Sequence, residues 1–198
     1  MKKILLLLII LSFVINLPAQ KISQNEDSEK GKHVHEINQA FEIESLVPMF
    51  LTGGYHAAIG YRYQKWRIRA SIINGGKYNA ESVGINNSSD NFKRYYKTSP
   101  GVFLGYNVWK NLDIYGFLES HTFEIEQKST GIKKDIHSMD FGGGVGYQFF
   151  IGQHFYLQPA IHIYLRTNKG LDFNGITYNI PNVDISPVFR VGYRLWSK

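Results

Sequence analysis

The chain has no cysteine. That excludes a disulfide scaffold, a thiolate metal site and a lipid-modified cysteine at a processing site. It has no apolar run of 18 residues past its first 20, which excludes a membrane-spanning helix. It has no repeat and no sign of a second domain. Neither sign of charge dominates. Lys and Arg number 22 against 16 Asp and Glu, and the net charge of +6 falls to +4 once Lys2 and Lys3 are removed. The basic residues are scattered and often sit beside acids, so no nucleic-acid stripe forms.

What is abundant is aromatic and small. There are 13 Tyr, 13 Phe and 19 Gly, a composition that suits strands with outward rings and a crowded interior relieved by glycine. The N-terminus is divided like an export signal. Lys2 and Lys3 precede an apolar run from Ile4 to Ile15, and Leu17-Pro18-Ala19 offers a small residue before a cut. The expected organisation is a signal peptide over 1–19, a polar periplasmic tail over 20–36 and one β-domain over 37–198.

Within that domain eight strands are expected: Ile37–Pro48, Tyr55–Tyr63, Trp66–Asn74, Tyr96–Trp109, Leu112–Glu126, Ile136–Phe150, Phe155–Arg166 and Ile185–Trp196. Each can cross a bilayer when tilted. Their connections alternate in length. Gln64-Lys65, Lys110-Asn111 and residues 151–154 make tight turns. Residues 49–54, 75–95, 127–135 and 167–184 make longer loops rich in Gly, Asn, Ser and Lys. In an up-and-down order, all the tight turns fall on one rim and all the longer loops on the other. This is the rhythm of a transmembrane barrel. The fold class is therefore all-β, an eight-stranded antiparallel up-and-down transmembrane barrel.

Most strands alternate with period two. In the seventh, Phe155, Leu157, Pro159, Ile161, Ile163 and Leu165 oppose Tyr156, Gln158, Ala160, His162, Tyr164 and Arg166. The fifth breaks the pattern near Phe123, where Glu124 and Glu126 stand among apolar residues. A phase slip through a bulge, or an extension above the membrane, would account for it.

Alternation leaves the inside undecided, since a soluble lipid-carrying barrel would turn the apolar face inward. Three features favour the membrane form. Rings gather at the tight-turn rim as an aromatic girdle: Tyr61, Tyr63, Trp66, Tyr106, Trp109, Tyr147, Phe149, Phe155, Tyr193 and Trp196. The polar face carries both signs, and Glu42, Glu44, Arg62, Arg67, Arg69, Glu119, Asp140, Arg166, Arg190 and Arg194 can pair across a narrow lumen. The G-x-W signature of soluble lipocalins is missing, because Gln64 precedes Lys65-Trp66.

Gly101-Val-Phe-Leu-Gly-Tyr106, Phe141-Gly-Gly-Gly-Val-Gly-Tyr147 and Val191-Gly-Tyr-Arg-Leu195 resemble segments of the small eight-stranded outer-membrane barrels, the OmpA/OmpX-like group. The resemblance covers residues 37–198. It implies residence in the cell outer membrane of a Gram-negative bacterium. One departure is that Trp196 is followed by Ser197-Lys198, where such barrels usually end on an aromatic residue.

Chemistry is thinly signalled. An outer-membrane acyl hydrolase or transferase acting on lipid A or phospholipid needs a nucleophile–base pair. No His is followed by the x-Ser of the lipid A deacylase type. The weak catalytic candidates are His121 with Glu119, which share a face, and His137 beside Ser138 and Asp140; a lumen polar network explains them as well. His33, His35 and Glu36 sit in the tail, and no metal site is expected there. Gly142-Gly143-Gly144 lacks the Lys and helix of a phosphate loop. Lys93-Arg94 with Tyr95-Tyr96 can reach lipopolysaccharide phosphates from the outer rim.

The expectation is a monomeric outer-membrane barrel with a structural or surface-interaction role, no enzyme and no open pore. Its expected partners are outer-membrane lipids, lipopolysaccharide and an extracellular ligand at the loops. No cofactor and no nucleic acid are expected. The alternatives are a lipid-modifying enzyme and a soluble periplasmic barrel that binds an apolar ligand.

Overall fold

A computed structural model describes residues 38–79, 92–168, 170–180 and 182–198. The expected signal and tail, Ile37, the His33/His35/Glu36 group and much of the 75–95 loop lie outside them.

The described strands are β1 (Gln39–Leu46), β2 (Gly54–Tyr63), β3 (Trp66–Asn79), β4 (Phe92–Trp109), β5 (Leu112–Gln127), β6 (Lys133–Tyr147), β7 (Phe149–Ile151), β8 (Phe155–Arg166), β9 (Gly170–Phe173), β10 (Ile176–Asn179) and β11 (Val183–Ser197). β7 continues β6 along β8 in the same register, so the two act as one strand. Each wall strand pairs antiparallel with its neighbour, and β11 pairs with both β8 and β1. The result is a closed, eight-stranded antiparallel barrel. Tight turns mark one rim, here the lower. Gln64 and Lys110 adopt left-handed φ values of 51° and 47° there.

The faces sort by chemistry. On the outside, Ile59, Ile68, Val102, Leu104, Ile114, Ile161, Ile185 and Leu195 are all more than half exposed. On the inside, charged side chains are buried. This is the reverse of a soluble barrel, which hides its apolar face from water. A barrel of eight strands leaves an interior just wide enough for side chains to fill. Glycine makes room for the largest of them: a Cβ on Gly192 would stand 2.2 Å from the Tyr156 ring, and one on Gly144 2.6 Å from Tyr115.

Four features differ from the sequence expectation. β1 stops at Leu46, because Pro48 opens a short helix, α1 (Val47–Leu51), where a fixed φ and a missing N–H suit the first turn. β3 to β6 reach further up than expected, to Asn79, Phe92, Gln127 and Lys133. The long connection over 167–184 carries the hairpin β9–β10, turned by Asn174 and Gly175 at φ 52° and 90°. Last, β5 does not slip. Every second residue from Asp113 to Gln127 is buried without a break. The extra residue lies across the ladder in β4, where Tyr96 pairs with Phe123 but Gly101 pairs with Glu119. This bulge shifts the inward phase of β4, so that Ser99, Gly101 and Phe103 face in below it while Phe92 and Arg94 face in above.

Candidate functional site: the filled lumen and its outer extension

The lumen is built from alternate residues of every wall strand. All ten charged residues assigned to it from the sequence are buried, none more than 6% exposed. In the lower lumen two carboxylates gather the guanidinium groups. Glu42 accepts from Arg194 Nη2 at 2.9 Å and lies 2.6 Å from Arg67 Nη2. Glu44 accepts from Arg67, from Arg69 at 3.0 Å and from the Tyr156 hydroxyl at 2.7 Å. Arg62 lies 3.4 Å from Asp113 and donates to Gln148 at 2.8 Å.

Arg190 has no carboxylate among these contacts. It donates to the Tyr115 hydroxyl at 3.1 Å and to His162 Nε2 at 3.0 Å. Its guanidinium and that of Arg69 stand over the Phe103 and Tyr115 rings, at 4.6 to 5.6 Å. Cation–π contact adds to the ion pairs where guanidinium groups outnumber carboxylates. Asp113, Gln148, Tyr156, Gln158 and His162 were not assigned to this network from the sequence. Asp113 was legible, since it lies in phase with Glu119 and His121 on β5.

Higher up, a second cluster contains the candidate catalytic residues. His121 Nδ1 donates to Asp140 at 2.8 Å, and its Nε2 lies 3.8 Å from Glu119. Asp140 also accepts from Ser138 at 2.5 Å and from Arg166 Nε at 3.0 Å. Arg166 continues to Asp184 at 3.0 Å. The Ser hydroxyl is therefore committed to the carboxylate. A nucleophilic arrangement would require it to bond the imidazole, which the carboxylate would in turn orient. His121 is only 1% exposed. His137 stands on the opposite face of the sheet, exposed, and bonds Thr122 at 3.0 Å. The structure does not bring the two histidines together, because Thr122 pairs with His137 and His121 with Ser138.

Outside, none of the ten girdle residues is buried. They cluster near the tight-turn rim and touch one another: Trp66 packs edge-on against Tyr106 at 4.9 Å, and Tyr147 against Phe149 at 4.7 Å. Phe41, absent from the expected girdle, joins it between Tyr61 and Trp196.

Above the bulge the chemistry inverts. Inward-facing Phe92, Phe123, Ile125 and Ile136 form an apolar core with Phe173, Tyr178 and Ile180 from the upper hairpin. The outward face becomes an ionic ladder across three strands. Lys97 pairs with Asp135 at 2.7 Å, Lys133 with Glu124 at 2.8 Å, and Tyr95 donates to Glu126 at 3.1 Å. Hydrogen bonds to Asp135 and Glu124 raise the basicity of Lys97 and Lys133, so both stay charged across the neutral range. The Lys93-Arg94-Tyr95-Tyr96 segment is split by its own alternation. Lys93 and Tyr95 belong to the ladder, while Arg94 turns inward over the Phe123 ring.

No family model and no curated protein matches the chain. Among solved structures, it is similar to the N-terminal β-barrel domain of Pseudomonas aeruginosa OprF, at 13% identity and TM-score 0.44 over 80% of this chain and 98% of that one. It is also similar to Neisserial surface protein A, at 13% identity and TM-score 0.42 over 80% and 95%. Ail, the attachment invasion locus protein of Yersinia pestis, matches at 12% and 0.40 over 80% and 98%.

Proposed function

We propose that this chain is an integral protein of the outer membrane, exported by a cleaved signal and monomeric. Its lumen is a structural plug, and its upper extension is the part that meets the surroundings. The observation that carries this reading is the pairing of an exposed apolar exterior with an ion-paired interior. Apolar residues in this number are stable outward only against hydrocarbon, and charges buried inside need partners. The interior is occupied by interlocked arginines, carboxylates and rings, so the barrel does not conduct. The surroundings are lipid at the belt and lipopolysaccharide at the charged ladder, with an extracellular ligand at the upper hairpin.

A non-enzymatic role is supported by the bonding order at His121, where serine and histidine both donate to Asp140. The mature protein, refolded in detergent, is expected to migrate faster on a denaturing gel before boiling than after. Vesicles containing it are expected to retain a small dye as well as empty ones do. Solubility in plain buffer with no gel shift would overturn membrane residence, and rapid dye release would overturn the plug.

A further inference from the structure

The barrel wall is not made of strands all the way round. β1 pairs with β11 from Ala40 to Leu46, and β2 pairs with β1 only as far as Ala58. Beyond those points β11 continues from Phe189 to Val183 with a strand on its β8 side alone. The gap between β11 and the top of β2 is occupied by α1, which touches both strands. Met49 of α1 is buried against the interior, while Phe50 and Leu51 are 57% and 49% exposed on the outside. Here a single apolar helical turn stands between the lumen and the surroundings, held at its ends. The Leu46 N–H donates to His56 Nδ1 at 3.2 Å, and the Thr52 carbonyl accepts from Lys77 N–H at 3.0 Å.

Behind α1 is a cavity of about 260 Å³. Its lining includes apolar Met49 and Val188, with Tyr96 packed against their cluster, and the charged groups of Arg94, Arg166 and Asp184. Arg166 is already engaged with Asp140 and Asp184. Arg94 is only 9% exposed, its Nε has no hydrogen-bond partner, and no carboxylate pairs with it among the described residues. A buried guanidinium without a counter-charge is costly. Here it stands over the Phe123 ring and lines a cavity that Met49 and Val188 also line. With Arg166 held between Asp140 and Asp184, the Arg94 guanidinium is the lining charge with no carboxylate beside it among the described residues, which suits a monoanion. The planar fork of Arg suits a carboxylate. At ~30 Å³ for a water-sized group, the cavity holds roughly nine non-hydrogen atoms.

We propose that this cavity binds a small amphiphilic carboxylate, its head on Arg94 and its short chain against Met49 and Val188, taken up from the lipid phase past α1. The test uses the mature chain refolded into phosphatidylcholine nanodiscs and octanoate labelled with ¹³C at the carboxyl group, with empty nanodiscs as the blank. One octanoate per barrel should bind saturably, and octanol at least tenfold more weakly. Arg94→Gln and the cavity-filling Val188→Phe should each weaken binding at least tenfold, while Lys97→Gln on the outer ladder should leave it unchanged. The gel shift on boiling checks that each variant is folded, so either one alone suffices.

No binding above the empty nanodiscs would overturn the proposal. So would wild-type affinity in a folded Arg94→Gln or Val188→Phe barrel. Displacement of octanoate by equimolar sulfate would also overturn it, by showing a site for anions in general. None of these results touches membrane residence, which the gel shift of the unmodified protein reads separately.

Discussion

The lower barrel and its upper extension share strands β3 to β6 but solve opposite problems. Below, the sheet is apolar outside and charged inside. Above, Phe92, Phe123, Ile125 and Ile136 turn inward while Lys97, Glu124, Lys133 and Asp135 turn outward. The same pleat serves both, because period two only separates faces. Solvent decides which face is which. Hydrocarbon outside demands an apolar exterior and leaves polar groups to pair within. Water outside demands the reverse. The level at which inside and outside exchange chemistry marks the upper edge of the apolar belt.

The largest effect should come from breaking the lower interior. Glu44 is the shared acceptor of Arg67, Arg69 and Tyr156. Glu44→Ala leaves two buried guanidinium groups short of a partner and should cost roughly 3–5 kcal/mol of global stability. Urea unfolding in lipid vesicles would measure this. A loss below ~1 kcal/mol would mean that the arginine–aromatic contacts, and not the carboxylates, hold the lumen together.

Next comes the upper core. Phe123→Ala should cost about 3 kcal/mol, but locally. Amide exchange should speed up in β9, β10 and the top of β4, while the gel shift on boiling stays as in the unmodified protein. If global unfolding shifted by the same amount, the two regions would be one cooperative unit.

The smallest effect belongs to the outer ladder. Lys97, Lys133 and their acids are solvated, so Glu124→Ala should cost no more than ~1 kcal/mol, and less at high salt. A loss as large as that of Glu44→Ala would show that the ladder is shielded from water.

Much of this division was legible in the sequence, and the illegible parts have physical reasons. The strands, tight turns and sorted faces follow from local alternation. The ten lumen charges were recognisable because they share a phase with small and polar neighbours. Glu124 and Glu126 stand out in the sequence, and of the two explanations it allows, a bulge in β5 or an extension above the belt, the extension is the one found, with the bulge in the neighbouring strand β4. A bulge is a relation between two strands, and the one that looks irregular in chemistry, β5, is regular in geometry. The upper hairpin carried its own signal in Asn174-Gly175, a pair suited to the left-handed φ values of a two-residue turn. It was hidden by reading a long polar connection as loop. The cluster around His121 was legible as neighbours on one face. Its bonding order was not, because Asp140 and Arg166 come from other strands and their register is set only by closure.

The bulge in β4 also limits how this chain can change in length. One residue removed between Tyr96 and Gly101 would take out the extra residue and let β4 alternate regularly against β5 with Phe92 and Arg94 still inward, whereas one residue removed above the bulge, at Tyr95, would turn Phe92 and Arg94 out and Lys93 in. Two residues added or removed together above the bulge would leave every face where it is. The height of the extension is thus free to vary only by even numbers of residues per strand, and odd changes are confined to the bulge and the loop tips.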